Sequence, residues 1–372
     1  MKVRINVKWE QHKLGDFGNV QMNKRIFKSQ TLDSGDVPFY KIGTFGKKAD
    51  AYISSELYEE YRNKYPYPKD GDLLISASGS IGKIVEYKGQ RAYYQDSNIV
   101  WLDHDNRILN LFLKAFFQIV KWNGTEGSTI KRLYNKNILN TEIILPKIKE
   151  QTAVGKLIEK FDYLITLQQR KLEQLKQLKK AILQIIASNR LLLHTKKVDM
   201  IKVRVADIYK ITRGNVLSRS EISNVRTSKY PYPVYSSQTK NHGLMGYYKN
   251  FLFKNAITWT TDGANAGTVK YRKGRFYSTN VNGVLLSSEG LANQLTAELL
   301  NLVAFKYVSH VGNPKLMNNT MGEIIFNIPK SVETQQYFSG CIESVIDLIG
   351  KQEKATDKLN KLKKYLLQKL FI

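Results

Sequence analysis

The residues whose types and spacing could do chemistry lie between positions 70 and 91. Asp70 or Asp72, followed by Glu86-Tyr87-Lys88, has a spacing in which two carboxylates hold Mg²⁺ and a lysine orients water, the chemistry of a metal-dependent nuclease. A second version of the stretch, 184 residues later, argues against it. There Ala256 replaces Asp72, Lys270 replaces Glu86 and Arg272 replaces Lys88. A strand with alternating charges on its solvent face makes the same pattern, so the nuclease stands only as an alternative. Gly79-Ser80-Ile81-Gly82-Lys83 lacks both the spacing and the trailing hydroxyl of an ATP-binding phosphate loop. No GxGxxG follows a strand, and no Asn/Asp-Pro-Pro-Tyr/Phe tetrapeptide of an amino-methyltransferase occurs. The histidines (12, 104, 194, 242 and 310) show no metal-binding spacing. No catalytic residue and no metal site is therefore expected in this chain.

Binding chemistry is better represented. Ser78-Gly79-Ser80 and Asp262-Gly263-Ala264-Asn265 are equivalent loops whose small residues let backbone N–H groups approach a phosphate. An ordinary glycine turn between strands reads the same way. Basic residues follow each loop: Lys83, Lys88 and Arg91 in the first, Lys270, Arg272 and Arg275 in the second. Tyr87, Tyr93, Tyr271 and Tyr277 interleave with them, as on a nucleic-acid surface or on a sheet with an aromatic core and solvated charges. Lys131 and Arg132, with Lys315 as the later counterpart, add a further basic patch.

The elements that must position these residues are duplicated. Residues 178–184 read Leu-Lys-Lys-Ala-Ile-Leu-Gln and residues 362–368 read Leu-Lys-Lys-Tyr-Leu-Leu-Gln, a shift of 184. Without a gap, the same shift pairs Gly79 with Gly263, Val85 with Val269, Tyr93 with Tyr277, Asn98 with Asn282 and Gln168 with Gln352. A period this long means two whole domains rather than a solenoid. The copies agree from about residue 71 onward. Ahead of it Pro38-Phe-Tyr40 matches Pro233-Val-Tyr235 at a shift of 195, and Asp16 matches Asp207 at 191, so the fronts differ in length. Divergent fronts on one scaffold suit one architecture that reads two targets. Neutral drift of surface loops gives the same pattern.

Two long helices are expected. In the first, after Pro146, apolar residues fall at Val154, Ile158, Phe161, Ile165, Leu172, Leu175, Ile182 and Ile186 in heptad steps, with Gln168 and Lys179 filling the gaps. In the second, after Pro329, they fall at Phe338, Ile342, Val345, Ile349, Leu359, Leu366 and Leu370, with Gln352, Thr356 and Lys363 in the seam. The matching polar interruptions favour an antiparallel intramolecular pair over two separate amphipathic helices. About 36 residues at ~1.5 Å each make a rod of roughly 50 Å. The segments 1–147 and 196–329 carry short β-type runs, such as 72–76, 83–87, 97–102, 256–261, 267–271 and 281–286. Each has one central helical stretch (106–120 and 290–308) and a final strand before the proline. The fold expected is α+β: two domains, 1–147 and 196–329, and two coiled-coil helices, 148–195 and 330–372.

Composition fits a polyanionic partner. Lys and Arg number 58 against 32 Asp and Glu, a net charge of +26. Nucleic acid is the first candidate and an anionic membrane the second. Cys341 is the only cysteine, so no intramolecular disulfide is possible, as in a reducing cytosol. No apolar run approaches the ~18 residues of a membrane span. The first residues lack the apolar core of a signal peptide, and a cytoplasmic location is expected.

With these features in place, the chain resembles the DNA-specificity subunits of type I restriction–modification systems over essentially its whole length. The residues that carry the resemblance are Pro146-Lys-Ile-Lys-Glu-Gln151 and Pro329-Lys-Ser-Val-Glu-Thr334, the paired helix ends quoted above, Tyr232-Pro-Val-Tyr-Ser-Ser-Gln238, and 256–263. One departure is Thr334, which stands where the first helix has Gln151. The resemblance implies that each globular segment is a target-recognition domain for one half of a bipartite duplex-DNA site. It implies a coiled coil that sets the spacing and docks two methyltransferase subunits using S-adenosylmethionine. Motor–nuclease subunits using ATP and Mg²⁺ would complete the complex, in the cytoplasm of a bacterium or archaeon. The chain itself would do no chemistry. Lys41, Thr44 and Lys47 in the first front, and Ser237, Gln238, Thr239 and Lys240 in the second, are then candidates to reach base edges. A coiled-coil scaffold that binds RNA or acidic proteins is the remaining alternative.

Overall fold

The computed structural model describes residues 9–122, 131–188, 192–193, 196–237 and 240–371, with backbone alone at 192, 193, 196 and 240. It divides into two compact units, one of Met1–Gln168 with Ala355–Ile372 and one of Gln169–Lys354.

Unit 1 runs β1 (Glu10–Lys13), β2 (Gly18–Gln21), β3 (Val37–Tyr40), β4 (Tyr52–Ile53), α1 (Ser55–Lys64), β5 (Leu73–Ser76), β6 (Ile84–Glu86), β7 (Tyr93–Tyr94), β8 (Ile99–His104), α2 (Asn110–Phe116), α3 (Asn135–Leu139) and β9 (Glu142–Leu145). The first part of α4 (Ile148–Ala187) follows. A four-stranded sheet has the order β2-β8-β5-β6, a three-stranded one the order β4-β3-β7, and β1 pairs with β9. Alternation along β5 serves two cores. Leu73 and Ile75 pack with Leu14, Val100, Phe112 and Leu113. Leu74 packs with Tyr87, Tyr94 and Trp101.

Unit 2 takes the rest of α4, then β10 (Leu192–Leu193), β11 (Lys196–Lys197), β12 (Met200–Arg204), α5 (Val205–Ile208), β13 (Lys210–Arg213), β14 (Tyr232–Tyr235), β15 (Leu244–Tyr248), β16 (Phe253–Thr260), β17 (Val269–Ser278), β18 (Asn282–Leu286), α6 (Gln294–Ala304), α7 (Asn318–Gly322), β19 (Ile325–Pro329) and the first part of α8 (Val332–Phe371). Its sheet has six strands in the order β13-β18-β16-β17-β14-β15, and β12 pairs with β19. The core gathers Ile257, Trp259 and Leu285 of the sheet with Leu295, Leu299 and Leu300 of α6.

This is the α+β architecture expected, with shorter central helices: α2 and α6 cover less than the 106–120 and 290–308 stretches. The fronts also share one anchor. In unit 1 β3 pairs in parallel with β7, Tyr40 opposite Tyr94. In unit 2 β14 pairs in parallel with β17, Tyr235 opposite Ser278.

The long helices pair antiparallel inside each unit. In unit 1 Val154 and Ile158 of α4 share a cluster with Leu367 and Phe371 at the end of α8, and Asp162 accepts a hydrogen bond from Lys363. In unit 2 Leu183 and Ile186 of α4 share one with Phe338 and Ile342 of α8, and Lys176 pairs with Glu353 at 3.0 Å. Ile158, Ile165 and Ile342 are buried, while Phe161, Leu172, Leu175, Ile182, Val345, Ile349, Leu359 and Leu366 are half-buried. Leu183 and Leu367, outside the expected seam, are buried. Each lies where its helix meets a domain core as well as the other helix, which widens the apolar stripe. Among the described residues no helix is long and apolar enough to cross a membrane.

The entry of α8 corrects the departure seen in sequence: Gln335, not Thr334, takes the place of Gln151. Both amides are buried. Gln151 donates to the carbonyls of Pro146 and Arg107, each at 3.0 Å, and accepts from the Leu109 N–H at 2.9 Å. Gln335 donates to the carbonyl of Pro329 at 2.8 Å and accepts from Asn293 at 3.3 Å. Counted from the proline, the second entry has one extra residue. The 184-residue shift between the glutamines is unchanged.

Candidate nucleic-acid interface

In unit 1, β3 ends in a tight turn over Ile42–Thr44. The Lys41 N–H donates to Thr44 Oγ1 at 3.2 Å, and the Ile42 N–H donates to Gln95 Oε1 at 2.9 Å, which ties the turn to the strand bearing Tyr94. Lys41 pairs with Asp50 at 2.9 Å, and Lys47 is exposed. The Ser78–Ser80 loop lies beside this turn. Gly79 has φ +63°, a conformation open to glycine, and a Cβ there would meet only Ile42, at 3.5 Å. Ser78 donates to Asn98 at 2.7 Å, and Ser76 Oγ bonds the Ser80 carbonyl. Lys83 reaches across to the Phe45 carbonyl at 2.5 Å. The turn that carries Lys41, Thr44 and Lys47 thus touches the loop candidates through Ile42, beside Gly79, and Phe45, bonded by Lys83. Arg91 is occupied elsewhere, paired with Glu59 at 3.0 Å and over the Tyr58 ring at 5.1 Å. Arg132 donates to the Ser97 carbonyl at 2.7 Å, and Lys131 is exposed.

In unit 2 the front turn again meets the sheet. Ser237, Asn265, Lys270 and Arg272 line one cavity of ≈ 150 Å³ with Ser236, His242, Gly243, Thr258, Thr260 and Asn282. Gln238 and Thr239 lie outside the described residues, as does the side chain of Lys240. The backbone of Asp262 forms an isolated antiparallel β-bridge with that of Lys315, and the Gly263 N–H donates to the Pro314 carbonyl at 2.9 Å, so the glycine loop is braced by the 309–315 segment. Gly263 has φ +85° with open space beside it. Arg275 stands apart, 4.9 Å from the Phe251 ring. Arg272 is 8% exposed. It donates to Thr258 at 3.1 Å and to the His242 carbonyl at 3.0 Å, and lies 3.7 Å from the centre of the Tyr235 ring. Burial pushes its guanidinium down to about 10 and lowers the Lys270 ammonium, which Arg272 lowers further.

The nuclease alternative finds no support here. Asp72 is buried, which pushes its carboxyl up, and it accepts from the Lys69 N–H at 2.7 Å and from Asn110. Glu86 is bound by Lys114, one turn further along α2. Among the described residues no three His, Cys, Asp or Glu gather to hold a metal ion. Sequence reasoning missed why Glu86 becomes Lys270 in the second copy. The residue at the position of its partner changes sign as well: Lys114 becomes Glu298 at the same 184-residue shift, and Glu298 acts on Lys270 through space and pairs with Lys179. It also missed His242 and Thr258, which no motif marks.

Two similar units, each gathering basic and small polar residues where its front meets its sheet, define a duplicated recognition module. The family model for the type I restriction modification DNA specificity domain matches residues 6–177 and 197–362, and the chain belongs to that family. A protein of Haemophilus influenzae named as a type I restriction enzyme specificity subunit is 57% identical over 152 residues, 41% of this chain and 40% of that protein. A Mycoplasma pneumoniae protein named as a type I specificity subunit N-terminus is 42% identical over 124 residues, 32% of this chain and 65% of that protein. The chain thus matches less than two thirds of either relative's length. The solved S subunit of a type I restriction-modification system from M. genitalium shares the fold, with a TM-score of 0.69 at 15% identity over 100% of this chain and 98% of that one. A chain solved in work on assembly and conformational transition of the type I R-M system gives 0.51 at 13% identity, over 97% of each.

Proposed function

We propose that this chain is the specificity subunit of a type I restriction–modification complex. Each unit reads one half of a bipartite duplex-DNA site, and the paired helices act as spacer ruler and as dock for two methyltransferase subunits. One observation carries the reading: both units hang their fronts on the same parallel strand pair, β3–β7 and β14–β17, yet the fronts differ. A common frame with two different fronts suits an asymmetric site whose halves lie on the order of one DNA turn, ~34 Å, apart. The net charge of +26 supplies affinity that is independent of sequence and falls with salt.

On this reading Lys41, Thr44, Lys47, Ser78, Ser80, Lys83 and Lys131 of unit 1 face DNA, as do Ser237, Asp262, Asn265, Lys270, Arg272 and Lys315 of unit 2. The methyltransferase subunits bring S-adenosylmethionine, and motor–nuclease subunits bring ATP and Mg²⁺. The assembly works in the cytoplasm. The deciding experiment is a methylome: the chain is co-expressed with its methyltransferase subunit in a methylation-free host, and modified adenines are mapped by single-molecule sequencing. A gapped, asymmetric motif that vanishes without this chain is expected. A continuous motif, or methylation without the chain, overturns the reading.

A further inference from the structure

The second unit contains a feature that the shared frame does not require. Its ≈ 150 Å³ cavity is lined by Ser236, Ser237 and His242 and, from the sheet, by Thr258, Lys270 and Arg272. Lys270 and Arg272 stand two apart on β17, so both project from the same face of the sheet. The groups that hold Arg272 in place, a hydroxyl, a carbonyl and an aromatic face, bear no negative charge. Lys270 forms no ion pair among the described residues. The nearby carboxylate, Glu298, is engaged by Lys179 at 2.5 Å and by Gln294 at 3.0 Å. Glu298 acts on Lys270 only through space and is shared with Lys179, so this partly desolvated wall holds more positive than negative charge, an unfavourable arrangement until an anion arrives.

Unit 1 has a different arrangement at the same place. Glu86 occupies the position of Lys270 and is neutralised by Lys114, while Lys88, at the position of Arg272, is exposed. The cation pair belongs to unit 2 alone.

We propose that this cavity of unit 2 seats one phosphate group of the DNA backbone, with Lys270 supplying charge and Arg272 and Ser237 supplying hydrogen bonds. The proposal rests on the DNA-binding reading above. Fork-shaped guanidinium donors match phosphate oxygens. Such a contact fixes the unit's register on the duplex without reading a base.

The test uses the full chain with Lys270→Met and Lys270→Arg, leaving buried Arg272 untouched. Duplex affinity is measured across a range of KCl concentrations. The Met variant binds more weakly, and its slope of log affinity against log salt is shallower by about 0.9, the value for one lost phosphate contact. The Arg variant keeps the wild-type slope. A slope unchanged in the Met variant overturns the proposal. A second arm omits DNA and compares Tm in inorganic phosphate and in chloride at equal ionic strength. Phosphate raises Tm for the wild type and the Arg variant and not for the Met variant. A Tm shift without a slope change would mean that free anion, not DNA backbone, fills the cavity, and the proposal fails. No duplex binding at all, with the Lys270-dependent Tm shift intact, keeps the anion seat and overturns the DNA reading instead.

Discussion

Gln335 donates a hydrogen bond to the carbonyl of Pro329 at 2.8 Å, across the turn that starts the last helix. Gln151 makes the same bond to Pro146 at 3.0 Å in the other unit. Each proline carbonyl lies ahead of the helix's own hydrogen bonds, and in both units a buried amide one turn inside supplies it with a donor.

Replacing either glutamine therefore leaves buried backbone groups without partners. Gln335→Ala and Gln151→Ala should each cost about 1–3 kcal/mol, measured by urea unfolding. Hydrogen exchange should localise the damage, around residues 291–293 and 329 for Gln335→Ala, and around 107–109 and 146 for Gln151→Ala. Loss confined to the helix ends would count against a bracing role.

The widened helix stripe predicts which leucines matter. Leu183 is 4% exposed and Leu178 is 50% exposed, although they stand five residues apart on α4. Leu183→Ala should destabilise by about 2–5 kcal/mol. Leu178→Ala should fall within about 0.5 kcal/mol of the parent. Equal losses would show that the two-core packing at Leu183 is misassigned.

The charge reversal between the units can be exercised directly. Glu86→Lys alone sets two cations together and should lower stability by about 0.5–1 kcal/mol in this partly exposed setting. Adding Lys114→Glu should restore it, because the pair is then re-formed with its signs exchanged. A double variant no better than the single one would mean that the pair is not coupled.

Alkaline titration should weaken the fold. Burial pushes the phenols of Tyr67, Tyr93 and Tyr94 well above their usual range, and that of Tyr87 above it. In the unfolded chain they ionise near pH ~10. Above that pH the unfolded state binds fewer protons than the folded one, so stability is fully present below about pH 10 and falls progressively above it. Ultraviolet titration should show tyrosinate appearing together with loss of structure. Smooth ionisation of all tyrosines with the fold intact would contradict the burial.

The modular reading predicts that replacing residues 1–147 with a different recognition domain changes one half of the methylated motif only. Inserting seven residues into α4 alone should abolish binding or change the spacer. Unchanged spacing would remove the helices from the ruler role.

Much of this was legible in the sequence because it repeats at long range. The 184-residue shift exposed the duplication, and heptad steps located both helices. The seam at Leu183 and Leu367 was not legible, since a heptad count knows only the partner helix and not the domain core beneath. Gln335 was misplaced because counting from Pro329 ignores a one-residue insertion that the buried amide absorbs. The cavity around Arg272 was half legible. Its basic residues stood out, but His242 and Thr258 join it only through the meeting of front turn and sheet.

The parallel strand pair has a consequence for how such fronts can change. Tyr40 with Tyr94, and Tyr235 with Ser278, close the front of each unit like a clasp, and the path between clasped residues is eleven residues longer in unit 1. Closing the longer loop costs only ~0.2 kcal/mol more in chain entropy. The eleven extra residues fall between Tyr40 and β5, ahead of the shared sheet strands, so segments there can be exchanged or resized while the sheet, the helices and their register stay as they are.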